Sequence, residues 1–88
     1  MILRQTFSKA IHGYWDGGPK KQFDWKIGRK RGQDQRGDFI EVGSFDANSW
    51  FMVAEGKTEK QILGYAKIHL RRVAEKVGET CTFEYIDE

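Results

Sequence analysis

Seven of the 15 Lys and Arg residues lie between positions 20 and 36: Lys20, Lys21, Lys26, Arg29, Lys30, Arg31 and Arg36. Only Asp24 and Asp34 oppose them in that window. Clustered positive charge attracts polyanions, or the acidic face of a protein, at long range. Contact with a phosphate backbone needs reach more than fixed geometry, so Lys26, Arg29, Lys30, Arg31 and Arg36 suit it. A solvated loop kept polar for solubility has the same composition.

Residues suited to covalent or acid–base chemistry are sparse. His12 and His69 are the two histidines, and Cys81 is the one cysteine. A nucleophile pair or a metal site would need them together, but no Cys-x-x-Cys or His-x-x-x-His spacing is present. Cys81 in an alternating segment reads as a small core residue. His69 at the edge of a helical stripe reads as a packed or capped imidazole. Glu79, Glu84, Asp87 and Glu88 near the terminus read as solubilising charge, since a paired-carboxylate mechanism needs a defended pocket. Gly56-Lys57-Thr58 lacks the first glycine of a phosphate loop, because position 51 is Phe51. The expectation is a non-enzymatic protein with no cofactor and no metal.

The elements that must carry these residues follow from pattern and punctuation. Leu3, Phe7, Ala10, Ile11 and Tyr14 permit a short helix. Phe7, Ile11 and Trp15, followed by the turn signal Asp16-Gly17-Gly18-Pro19, favour a strand near residues 9–15. Gln22 to Gly28 reads as a strand with Phe23, Trp25 and Ile27 on one face. Arg29 to Gly37 reads as a flexible basic loop. Asp38 to Phe45 reads as a strand, with Ile40 and Val42 on one side and Phe39, Glu41 and Phe45 on the other. Asp46-Ala47-Asn48-Ser49 is turn-like, and Trp50 to Glu55 reads as a further strand.

Thr58 with Gln61 forms the signature of a capping box, and Gly78 is a stop signal. Between them Ile62, Ala66, Leu70, Val73 and Val77, with Leu63 and Ala74, make an apolar helical stripe. Lys60, Lys67 and Arg71 are expected on the opposite face, with Ile68 near them. Lys57 stands at the helix start, where free N–H groups favour anions. A last strand carries Cys81, Phe83 and Tyr85 on one face. The expected fold class is α+β: a small antiparallel sheet of about four to five strands, one long helix on one face in the C-terminal half, then a final strand. Its other face, carrying some of Phe39, Phe45, Trp50 or Phe51, must be wet, covered or used in contact.

Composition narrows the field. A chain of 88 residues makes one small domain. Three Trp, three Tyr and six Phe are a heavy aromatic load, more than a small core needs. The net charge of +2 excludes a strongly acidic DNA mimic. One cysteine excludes an internal disulfide and fits a reducing cytoplasm. No apolar run approaches a membrane span, and Met1-Ile2-Leu3-Arg4 lacks a signal-peptide core.

The run Gly18-Pro19-Lys20-Lys21-Gln22-Phe23, with Ala54-Glu55-Gly56-Lys57-Thr58-Glu59-Lys60-Gln61, resembles parts of the double-stranded RNA-binding domain. There the turn-to-strand segment is followed by a basic helix start that touches phosphates. The chain departs from that pattern: a first helix has little room, Glu59 breaks the lysine pair, and a strand follows the helix. No family is assigned. In size, aromatic richness and lack of a catalytic motif, the chain is also similar to small phage-encoded inhibitors, anti-CRISPR proteins among them.

Two functions are therefore expected. One is docking on nucleic acid, or on a nucleic-acid-binding protein complex, through Lys20–Arg36 with Lys57, Lys60, Lys67 and Arg71. The other is a protein–protein inhibitor or adaptor using Phe39, Phe45, Trp50 and Ile68, with a homodimer as a further way to bury that face.

Overall fold

Residues 1–12 and 18–88 are described by a computed structural model. The strands β1 (Ile2–Ile11), β2 (Lys20–Asp34), β3 (Gly37–Ser44), β4 (Ser49–Ala54) and β5 (Cys81–Ile86) form an antiparallel sheet in the order β4-β3-β2-β1-β5. The helix α1 (Glu59–Lys76) lies between β4 and β5 in the chain and packs on one face of the sheet. This is the α+β architecture expected from the sequence.

Alternation sets the two faces. Leu3, Gln5 and Phe7 of β1, Phe23 and Trp25 of β2, Ile40 and Val42 of β3, and Val53 of β4 are buried. They meet Ile62, Leu63, Ala66, Leu70 and Ala74 of the helix, and Cys81, Phe83 and Tyr85 pack against the margin of this core. Burial of so many large apolar side chains is the main favourable term in folding. Gln5 and Ser44 are the polar residues buried with them among the described residues: Gln5 accepts a hydrogen bond from the Trp25 indole N–H at 3.1 Å and donates to Cys81 Sγ at 3.6 Å.

The helix ends are built as the sequence indicates. Thr58 Oγ1 accepts from the Gln61 N–H at 3.1 Å, while Gln61 Oε1 accepts from the Lys57 N–H at 2.7 Å. The reciprocal bond thus falls one residue earlier than in the usual capping box. At the other end Gly78 has φ +75°, its N–H meets Glu75 O, and Glu79 N–H meets Ala74 O. That paired closure is a Schellman motif, which requires the left-handed backbone glycine adopts freely.

Four expectations change. The first strand begins at Ile2, well before the expected residue 9, and runs to Ile11; positions 13–17, with Tyr14, Trp15 and the Asp16-Gly17 half of the expected turn, lie outside the described residues. Arg29–Asp34 is strand, not loop: β2 continues to Asp34↔Gly37 and turns through Gln35 and Arg36. Cross-strand hydrogen bonding overrides the local polar composition there. Phe51 faces the helix, with its ring 5.6 Å from Trp25 and 4.6 Å from His69. The stripe stops at Ala74, for Val77 is 64% exposed.

Candidate binding face

The basic segment contains a bulge. Ile27 pairs with Val42 and Arg31 with Ile40, so Gly28, Arg29 and Lys30 stand against Glu41 alone. A bulge re-aims side chains and sharpens the local twist. Its two extra residues preserve the alternation, so Arg31 lies on the Ile40 side of the sheet, as Ile27 does, opposite to Lys26, and pairs there with Glu55. The seven cations therefore do not share one face. Lys20 lies 3.7 Å from Asp46, and Arg36 lies 3.3 Å from Asp34 while its guanidinium sits over Phe39. Lys21, Lys26, Arg29 and Lys30 are exposed and make no ion pair among the described residues.

The open side of β2, β3 and β4 brings two of these four to aromatic rings. In register, Trp50 stands across from Gly43, and Gly43 from Lys26. A Cβ at residue 43 would overlap the Trp50 indole, so the ring occupies the space glycine leaves empty. Phe45, in the turn after β3, meets Trp50 edge to face at 5.7 Å and 81°. Lys26 Nζ lies 5.0 Å from the centre of the Phe45 ring. Lys26, Gly28, Arg29, Glu41, Phe45 and Trp50 line a concavity of about 330 Å³. Next to it, Gly32, Arg36, Phe39 and Met52 line a second depression of about 350 Å³.

Phe45, Trp50 and Met52 are 74%, 44% and 40% exposed. Exposed apolar side chains set side by side on one face are more informative than the same residues scattered. Met52 and Glu41 were not singled out for a role from sequence, though the alternation of Trp50 with Met52, and of Phe39 with Glu41, carries the signal. Farther along the same face, toward β1, the charges are matched. Arg4 makes two hydrogen bonds to Asp24, at 2.9 and 3.1 Å. The hydrogen bonds from Arg4 to the Asp24 carboxylate hold its guanidinium above its ordinary range, against an opposing effect of desolvation.

The helix cations stand elsewhere. Lys60 and Lys67 each lie 5.3 Å from the Tyr85 ring centre, and Arg71 lies 5.8 Å from Phe83. They flank the apolar stripe and fold over β5, not opposite it as the wheel suggests. Positions 67 and 71 follow buried positions 66 and 70 by one step of about 100°, which the helical period of 3.6 residues gives, and that step leaves long side chains within reach of the strand. These cations lie on the helix side of the sheet, apart from Lys26 and Arg29. Ile68 is 48% exposed on the helix. Lys57 precedes the cap, where Glu59 of the first turn lies 3.4 Å from the N-terminal amine. His69 rests on Phe51, and Cys81 on Gln5. Among the described residues, no three His, Cys, Asp or Glu side chains gather as metal ligands, and no helix is long and apolar enough to cross a membrane.

No family model, curated protein or solved structure matches the chain.

Proposed function

We propose that this chain is a non-enzymatic nucleic-acid-binding protein that docks through the open face and bulge of β2–β4. The observation that carries the reading is the unmatched charge of Lys21, Lys26, Arg29 and Lys30 along one strand, with Lys26 and Arg29 bordering exposed rings. Lysine and arginine tips in that position neutralise phosphates and release counterions. Arg31, Arg36 and Lys20, each held by a carboxylate, contribute less. Binding of labelled DNA and RNA oligonucleotides at low salt tests the reading. Saturable binding supports it, and its absence for every oligonucleotide removes it.

A second reading rests on the exposed group Phe45, Trp50 and Met52. Aromatic anchors of this kind serve protein interfaces, with a host protein or a second copy of the chain as occupant. Trp50→Ala would then weaken association with little dependence on salt, and a homodimer would register as a doubled mass in sedimentation.

A further inference from the structure

We infer that the open face takes single-stranded nucleic acid, stacking an unpaired base on the Trp50 indole while Lys26 and Arg29 meet the phosphates; this rests on the nucleic-acid reading above. The inference begins with how the indole is held. Gly43 leaves room for its five-membered ring against the sheet, and Phe45 stands nearly perpendicular to it. A floor of indole and a wall of phenyl make a corner that accepts a flat ring. Trp50 remains 44% exposed, so part of its surface is open to a ligand. Every base has a π-face, whereas a duplex keeps those faces inside its own stack.

Charge selects an anionic occupant. Lys26 and Arg29 line the same concavity as Trp50. Glu41 lies there too, against Gly28, and its carboxylate repels a phosphate. The backbone of the strand must therefore run on the Lys26 and Arg29 side, leaving Glu41 able to accept a hydrogen bond from an exocyclic amino group, as carboxylates do from cytosine. The second depression, with Phe39 and Met52 beneath Arg36, continues the path along the strands. Single-strand sites of this kind combine a cationic track with successive aromatic contacts.

Fluorescence anisotropy with labelled 12-nucleotide single strands and the matching duplexes tests the inference, using the whole chain and Trp50→Ala. The expected result is at least ten-fold tighter binding of single strands, and an affinity loss of about ten-fold in Trp50→Ala, in line with the effect of removing one stacking ring. The salt dependence should stay unchanged in that variant. Phe45→Ala, which alters an exposed turn residue, supplies an independent loss of several-fold if Trp50→Ala folds poorly. Equal affinity for single strands and duplexes, or no loss in either variant, overturns the inference and leaves the proposed function standing. Failure to bind any nucleic acid at low salt overturns both and points to a protein occupant.

Discussion

Gln5 is the polar side chain around which the core is keyed. It is fully buried between Trp25 and Cys81, and its amide serves both. Gln5→Leu would keep the volume but leave the indole N–H without this acceptor. Removing one partner of a buried hydrogen bond costs about 1–3 kcal/mol. Chemical denaturation of that variant should show a loss of this size, and an unchanged midpoint would contradict the assignment. Gly43 has a different task, because a methyl there competes with the Trp50 ring for the same space. Gly43→Ala should cost about 1–3 kcal/mol through crowding. It should also displace the indole, which a shift in Trp50 emission or a lost Trp50–Phe45 contact would report. The sequence carries Gln5 only as a polar residue in an apolar alternation. Nothing local in it tells that Trp25, twenty positions away, supplies the donor.

The helix was legible because its signals are local: a threonine cap, a stripe at helical spacing, and a glycine stop. Thr58→Ala should lower stability by about 1 kcal/mol, the usual value of an N-cap side chain. Gly78→Ala should cost about 1–2 kcal/mol, since φ +75° is strained for any residue with a Cβ. Thermal melts of the two single variants and the double variant would show near-additive losses, as expected of sites twenty residues apart at opposite helix ends. Strand β2 was legible only where apolar residues alternate, from Phe23 to Ile27. Beyond that its identity depends on pairing with β3, and polar composition alone reads as loop. The bulge at Gly28–Lys30 arises from two strands in register and has no signature within either. Once residues 29–34 are strand, alternation alone sets Arg31 on the face opposite Lys26, but its pairing with Glu55 depends on how the strands are ordered.

The molecule divides its cations by the sheet itself. Lys60, Lys67 and Arg71 cover β5 aromatics on the helix side, while Lys26 and Arg29 border the exposed rings on the other. Binding through the open face should therefore respond to substitutions in β2 and not to those on the helix. Lys60→Ala with Lys67→Ala should leave oligonucleotide affinity within about two-fold, apart from a long-range effect that salt screens within a Debye length of about 8–10 Å. The architecture, one helix on a five-stranded antiparallel sheet, was visible in outline from alternation and caps. Which half of the open face is charge-matched and which is not became visible only with the strand order β4-β3-β2-β1-β5.

The salt dependence of oligonucleotide binding tests the central claim most directly, compared between the parent chain and Lys26→Glu/Arg29→Glu/Lys30→Glu. The parent should lose affinity linearly in log–log form, with a slope of about −0.7 per phosphate contact on single strands. The triple variant should bind at least ten-fold more weakly with a markedly shallower slope, while keeping the parent's melting temperature within a few degrees. Parallel slopes and equal affinities for the two proteins would contradict a docking surface on β2–β4.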